Sequence, residues 1–331
     1  MKTRHPHIII LLLSVLALGT LGACPFIGSH AVTLVALWGD QADPATRDIF
    51  FTLRLPRVFT AFLAGMALAG GGAAFQAMFR NPLATPFTLG TASGASLGAA
   101  VYMRLGLSLS LFGISGISLA AFLGALGAIV LVYSLTCLRR GFSPAYTLLA
   151  GVAVSMFFSS LILFMQYISD FTQSFRIMRW LMGGLTDADF ESLFNLLPAV
   201  GIGILVLWLN LRELNLLGTG DDIAASRGVP VAQVKRRLFF ATSFMIGAVV
   251  AFCGPIGFVG MMAPHICRRL VGGNHRWLLP ASLLFGGSFL TLCDTLSRSL
   301  IDSAEIPVGV ITALLGGPFF LWLLTRSKIR V

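Results

Sequence analysis

The sequence predicts an all-α, polytopic membrane protein of about ten transmembrane helices, because its composition and its pattern of apolar runs agree. Hydrophobic residues make up 56% of the 331 residues and charged residues only 11%, with a mean hydropathy of +0.89. A soluble core cannot hide that much apolar surface, so lipid is the natural solvent. Linkers and low-complexity runs are absent from the sequence, which predicts a single membrane domain over residues 1–331.

A transmembrane helix needs about 20 mostly apolar residues, and brief polar breaks divide this chain into ten such segments, some of them short. We expect them near 8–37, 57–79, 88–106, 111–138, 144–168, 191–211, 237–254, 256–271, 277–297 and 307–325.

The first segment has an alternative interpretation as a cleaved signal. Lys2 and Arg4 precede a long apolar run, and residues 21–24 resemble a lipoprotein cleavage site. Cleavage would leave nine spans, which would place the C-terminus on the other side of the membrane or invert the charge bias. We therefore expect an uncleaved first helix.

Positive charge is distributed unevenly along the chain, whose net charge is +10. With ten spans and the N-terminus inside, most of the 23 basic residues fall in loops assigned to the cytoplasm. These are Lys2, Arg4, Arg80, Arg139, Arg140, Arg212, Arg227, Lys235, Arg236, Arg237, Arg268, Arg269, Arg276, Arg326, Lys328 and Arg330. The positive-inside rule then predicts an inner-membrane protein with both termini cytoplasmic. A nucleic-acid partner is not expected, since no basic cluster interleaves with aromatic residues on a soluble segment.

Small residues mark the second and third segments. Gly90, Gly94 and Gly98 recur at one helical turn, so one face of the third segment is expected to pack closely against another helix. The stretch over residues 53–98, with its polar Asn81-Pro82 turn, resembles the signature of the FecCD family, the permease subunits of bacterial ABC importers for ferric siderophores, haem and cobalamin. Residues 179–185, 254–276 and 304–324 resemble further family motifs.

The resemblance implies a homodimeric type II ABC importer permease around a central pathway. Its partners would be a second copy of itself, two ABC ATPase subunits, a periplasmic substrate-binding protein and the lipid bilayer. The sequence has no GxxxxGK[ST] loop, so ATP hydrolysis is expected on a separate subunit and not on this chain.

The most polar cytoplasmic stretch covers residues 214–236. Asp221 or Asp222 can cap a short helix that Gly228 ends before Pro230. Taken alone, the sequence of this segment favours an ordinary surface loop. The family resemblance instead implies an ATPase-coupling helix, with contact residues Asp222, Ala225, Gly228, Val229 and Pro230.

Arginines also occur on the opposite, periplasmic side, at Arg54, Arg57 and Arg298. A lone arginine there would be explained by snorkelling to the headgroups. The family resemblance implies that these three dock carboxylates of the binding protein, through charge-assisted hydrogen bonds. Asp294 lies four residues before Arg298, so we expect it to have a structural role in holding that arginine or a neighbouring helix end.

The fifth segment is less uniformly apolar than its neighbours. Ser155, Met156, Ser159 and Gln166 are candidate pathway residues, because helical spacing lets the polar members share a face and the resemblance places this helix at the dimer interface. Serines in membrane helices also commonly bond their own backbone. Gln76 is expected to bond a neighbouring helix rather than substrate.

Enzyme functions find little support in the sequence. Residues 113–116 spell GxSG, the tetrapeptide that rhomboid proteases place around their serine, but His265 is predicted at the other membrane face. The HExxH motif is absent, and the five cysteines show no ligand-like spacing. We expect no catalytic residues, no cofactor and no metal site.

The sequence thus predicts a permease that moves a ferric siderophore or a related metal chelate from periplasm to cytoplasm. Haem or cobalamin import by the same kind of permease is an alternative, and some relatives move oxyanions. An ion-coupled secondary transporter is less favoured, because such proteins need charged sites near the midplane and the charges here lie at segment ends. A third alternative is a non-transporting membrane scaffold.

Overall fold

The computed structural model describes residues 5–28, 32–33, 37, 44–111, 113–137, 144–301 and 305–326. Its helices are α1 (Pro6–Ala23), α2 (Pro44–Asp48), α3 (Leu55–Phe79), α4 (Thr91–Arg104), α5 (Gly116–Cys137), α6 (Pro144–Tyr167), α7 (Phe171–Leu181), α8 (Phe190–Leu209), α9 (Leu211–Leu217), α10 (Asp221–Ser226), α11 (Val231–Cys253), α12 (Val259–Val271), α13 (His275–Ser297) and α14 (Val308–Arg326). Two residue pairs form a small antiparallel hairpin, β1 (Ser110–Leu111) and β2 (Ile114–Ser115).

Within the described ranges, seven helical stretches are long and apolar enough to span a membrane. They are Pro6–Phe26, Pro44–Phe79, Gly116–Cys137, Pro144–Tyr167, Phe190–Leu209, Val231–Cys253 and His275–Ser297. The other three predicted segments also contain helices, namely α4, α12 and α14. The predicted all-α membrane fold is confirmed. Helix α4 is only 14 residues long, about 21 Å at the α-helical rise, so it is shorter than a bilayer core and packs inside the bundle.

The boundaries differ from the sequence expectation at two places. Helix α1 ends at Ala23 and a 3₁₀ turn over Cys24–Phe26 follows, so the first helix is shorter than the predicted segment 8–37. The second helical stretch begins earlier than predicted, because α2 and a π-helical turn over Ile49–Arg54 run directly into α3.

Helix α7 lies between the predicted segments 144–168 and 191–211, where the apolar pattern predicted no helix. Its start is capped by Asp170, whose carboxylate accepts a hydrogen bond from the Gln173 amide at 2.8 Å. Asp189 caps α8 in the same way through the Ser192 amide at 2.7 Å. Hydrogen bonding with Ser192 holds the pKa of Asp189 below its ordinary value.

Helix α3 is the central element, and small residues let its backbone touch its neighbours. A Cβ added at Gly65 would clash with the backbone of Gly286 on α13, and one added at Gly72 would clash with the backbone of Gly260 on α12. Alanines such as Ala67 are fully buried between these contacts. Lipid tails provide no hydrophobic drive for helix association, so this close van der Waals packing holds the bundle together.

The same device joins α4 to α5. A Cβ at Gly94 or Gly98 would clash with the backbone of Gly124 or Ala120 on α5. Gly90 differs from the sequence expectation, because it lies at the N-cap of α4 with φ +81° and faces Val154 of α6. Only Gly94 and Gly98 therefore lie against α5, and Gly90 makes the left-handed turn that starts the helix.

We expect Gly65→Ala to destabilise the protein by about 1–3 kcal/mol, because the added methyl meets backbone that cannot move aside. Unfolding of the purified protein in detergent would measure this. The matched control is Gly127→Ala in α5, where no atom lies within 4 Å of an added Cβ. Helix propensity alone should make that variant neutral or slightly more stable. Equal effects of the two substitutions would contradict the importance of the α3–α13 contact.

Candidate functional site

A cavity of about 630 Å³ opens beside α6, and three of the four predicted pathway residues line it. Ser155, Met156 and Ser159 are joined there by Thr88 and Phe87, which lie on the turn before α4. The hydroxyl of Ser155 is buried and has no hydrogen-bond partner among the described residues. The fourth residue, Gln166, does not line this cavity.

Helix α6 leaves much of its apolar surface uncovered. Leu149 is 66% exposed, Met156 69% and Leu163 65%. Helix α3, by contrast, is buried along most of its length. An uncovered apolar surface beside a partly polar cavity can be covered by lipid, by a second copy of the chain, or by both.

The coupling segment 214–236 forms two short helices, α9 and α10. The predicted aspartate cap is wrong, because the N-cap of α10 is Gly220 with φ +136° and no side chain caps the helix. Asp221 instead accepts a hydrogen bond from the Lys235 ammonium at 2.6 Å. The side chain of Lys235 is only 1% exposed. This ion pair ties the first residue of α10 to the first turns of α11.

The end of α10 forms as the sequence predicted. Gly228 adopts φ +80°, and the Val229 amide donates to the Ala224 carbonyl at 3.1 Å, as in a Schellman motif. Val229 is buried and thereby anchors the turn. The remaining predicted coupling residues, Asp222, Ala225, Gly228 and Pro230, are exposed.

At the opposite end of the bundle, charged residues form what we call the arginine cluster, made of Arg54, Arg57, Asp294, Arg298 and Glu305. Arg57 donates from Nε to Asp294 Oδ1 at 3.0 Å and from Nη1 to Glu305 Oε2 at 2.9 Å. Asp294 is fully buried. Arg298 Nε lies 3.7 Å from Asp294 Oδ2, as the i,i+4 spacing of the two residues predicted.

Carbonyl groups of the 3₁₀ turn after α1 complete the cluster. Arg298 Nη2 donates to the Cys24 carbonyl at 2.6 Å, and Arg54 Nη1 lies 3.4 Å from the Pro25 and Phe26 carbonyls. The three arginines are only 6–9% exposed. They are therefore held by groups of their own chain. The contacts of Arg57 with Asp294 and Glu305 were not predicted from the sequence. Arg57 and Asp294 are 237 residues apart, and no local sequence pattern indicates such a pair.

Gln76 bonds a neighbouring helix, as expected. Its amide nitrogen donates to the Met261 carbonyl at 3.3 Å, and its oxygen accepts from Arg268 at 3.2 Å. His265 contacts the Phe319 ring. Over the described ranges, no group of three or more His, Cys, Asp or Glu side chains could hold a metal ion.

The profile of the FecCD transport family matches residues 4–326. The chain belongs to the FecCD transport family. It is a transport permease of the ABC importer type rather than an enzyme.

Curated relatives of this permease are named for different cargoes. The hemin transport system permease of Yersinia pestis is 38% identical over 97% of this chain and 95% of its own length. The vitamin B12 import permease of Klebsiella pneumoniae is 39% identical over 88% of this chain and 87% of its own. The molybdate import permease of Haemophilus influenzae is 36% identical over 87% of this chain and 84% of its own. These relatives are similar to this chain over most of their length, but they are named for different cargoes.

A solved structure of high similarity is described as an inward-facing ABC transporter of the metal-chelate type. It superposes with a TM-score of 0.86 at 33% identity, covering 96% of this chain and 99% of that one. The bundle described above is thus the fold of an ABC importer permease.

We expect Asp294→Asn to destabilise the permease by about 3 kcal/mol or more, because it removes the buried charge that faces Arg57 and Arg298. Glu305→Gln is the control, since Glu305 also bonds Arg57 but is 43% exposed, and it should cost less than about 1 kcal/mol. Denaturant unfolding in detergent would compare them. Similar costs for both would mean that the burial of Asp294 is unimportant.

Proposed function

We propose that this chain is the permease subunit that moves a ferric siderophore, or a related metal chelate, from periplasm to cytoplasm. The observation on which the proposal depends is the cavity beside α6, where Ser155, Met156 and Ser159 offer hydroxyls and a soft thioether next to uncovered apolar surface. Such a mixed lining suits a bulky chelate that carries polar oxygens on an apolar body. The whole chain acts as one permease domain.

A second copy of the chain pairs through α6 and encloses the pathway. The large exposed side chains of α6 support this, because lipid alone would leave the hydroxyl-lined cavity facing hydrocarbon, where unsatisfied polar groups are costly. Gln166 lies near the end of the same helix and is proposed as a pathway residue at its mouth.

Two ABC ATPase subunits drive transport through the coupling segment. Asp222, Ala225, Gly228 and Pro230 are exposed at α10, where small side chains can seat a short helix in a groove, and Val229 anchors the turn from below. ATP binding closes the ATPases and moves α10. Because Lys235 holds Asp221, α10 and the start of α11 move together, which gives alternating access across the bilayer.

The coupling segment faces the cytoplasm in this proposal, as do both termini, in the cell inner membrane. The basic residues Arg212, Arg227, Arg236 and Arg237 support that orientation, since they belong to or border α9 to α11. The arginine cluster then faces the periplasm, where a substrate-binding protein docks.

Iron chelates are the favoured cargo, and haem is the second candidate. Haem is supported by the hemin permease, which matches this chain over 97% of its length. This chain is 36–39% identical to permeases that are named for three different cargoes. Selectivity is therefore expected to reside mainly in the binding protein.

The cargo can be tested with the permease reconstituted in liposomes together with its ATPase and binding protein. We expect a ferric siderophore to stimulate ATP hydrolysis and to accumulate inside, while molybdate does neither. Haem and cobalamin are the comparison arms. If haem alone stimulates ATP hydrolysis, haem is the cargo and the ferric siderophore is not. If no ATPase associates with the permease, the coupling role of α10 is wrong and secondary transport is favoured.

Docking by the arginine cluster can be tested through Glu305. Because Glu305 Oε2 lies 2.9 Å from Arg57 Nη1, a carboxylate of the binding protein must compete with it. We expect Glu305→Gln to tighten docking and Arg57→Gln to weaken it, each by severalfold, in a binding titration with purified binding protein. Two results together would contradict docking at Arg54, Arg57 and Arg298. Glu305→Gln would leave the affinity for the binding protein unchanged, and a folded Arg57→Gln variant would bind the binding protein with normal affinity.

A further inference from the structure

A second cavity, of about 650 Å³, lies at the end of the bundle that holds α9 and α10. Three arginines from three different elements line it. Arg212 comes from α9, Arg227 ends α10, and Arg276 belongs to the first turn of α13. We call it the arginine cavity. It is separate from the cavity beside α6 and from the arginine cluster.

Among the described residues, no acidic side chain balances the charge of the arginine cavity. No acidic side chain is among the described residues that line it, and none of its three arginines forms an ion pair with a described residue. The Arg276 guanidinium lies 5.6 Å from the Trp277 ring centre, in a cation–π contact that brings no negative charge into the cavity. Three like charges around one cavity repel each other, and an anion between them would offset that repulsion.

The floor of the arginine cavity is ordered by two asparagines. Asn215 donates to Asn274 Oδ1 at 3.0 Å, and its own oxygen accepts from the His275 amide at 2.7 Å. Asn274 Oδ1 also accepts from the Arg276 amide at 3.0 Å. These bonds fix the start of α13 against α9, so Arg212 and Arg276 are presented from a rigid base.

One wall of the arginine cavity continues into an apolar helix face. Trp208 lines the cavity and is 49% exposed on the last turn of α8. Ile202, Leu205 and Leu209 of the same helix are 55%, 56% and 70% exposed. Tryptophan is enriched where a transmembrane helix meets the headgroups. The cavity therefore opens at headgroup depth, with acyl-chain surface beside it.

We propose that the arginine cavity binds the phosphate headgroup of an anionic phospholipid. Arginine pairs with phosphate oxygens in a bidentate fashion, and basic pockets at this membrane depth are suited to anionic headgroups. The acyl chains lie along the exposed face of α8. Since Arg227 ends α10, the bound lipid also links α10 to α8 and α13. The proposal goes beyond transport and does not depend on the cargo.

The probe is dioleoylphosphatidylglycerol, titrated into the delipidated full-length protein in detergent, with dioleoylphosphatidylcholine and inorganic phosphate as separate arms. Binding is read by native mass spectrometry and by the shift in unfolding temperature. We expect phosphatidylglycerol to bind and stabilise, and the other two to do neither. The double variant Arg212→Gln/Arg276→Gln should weaken phosphatidylglycerol binding roughly 30-fold, at about 1 kcal/mol for each arginine.

The matched control is Arg47→Gln/Arg176→Gln, which removes two exposed arginines outside the cavity and should bind phosphatidylglycerol as the unaltered protein does. If the double variant does not fold, the single variant Arg227→Gln is measured instead. Equal binding of phosphatidylcholine, or unchanged binding by both cavity variants, overturns the proposal. Stabilisation by inorganic phosphate at the same site would mean a free-anion site. Unchanged lipid binding with lost ATPase association would assign the arginines to the ATPase contact.

Discussion

Backbone contact between α3 and its neighbours determines how the rest of the bundle can be arranged. Gly65 and Gly72 bring α3 against α13 and α12 at distances that only glycine permits. Because the helices cannot slide along each other without breaking these contacts, the positions of the ends of α3 and α13 relative to each other are fixed. The arginine cluster forms there, and the glycines of α4 repeat the same principle against α5.

The charged groups are concentrated where the packed helices end. Asp294 is buried between Arg57 and Arg298, and Lys235 is buried against Asp221 at the other end of the bundle. A buried charge is tolerable only when its partner is in place. Arg57–Asp294 connects two helices that are 237 residues apart in sequence, and Lys235–Asp221 connects the neighbouring helices α11 and α10. Each end of the bundle is therefore fixed by an ion pair between helices. The middle of the bundle is left to small apolar residues and a few hydroxyls.

Much of the fold follows from local patterns, and the departures have physical causes. Apolar runs located the helices, the i,i+4 spacing located Asp294 beside Arg298, and the spacing of Ser155 and Ser159 placed them on one cavity wall. Helix α7 was missed because it is short and amphipathic. The predicted aspartate cap of α10 was wrong because the carboxylate of Asp221 accepts a hydrogen bond from Lys235. This contact joins two helices, so local helix propensity does not predict it. Arg57–Asp294 was missed for the same reason.

The pairing of Arg57 with Asp294 also has a consequence for biogenesis. Arg57 is synthesised 237 residues before its partner, so α3 must enter the membrane while its guanidinium still lacks the carboxylate. An arginine that lacks its partner is costly to bury, so its side chain would stay in contact with headgroups or water until α13 is inserted. The contacts between α3 and α13 can form only then. The centre of the bundle is consequently among the last parts to be completed, and a chain truncated before α13 would expose its most tightly packed helix to quality control.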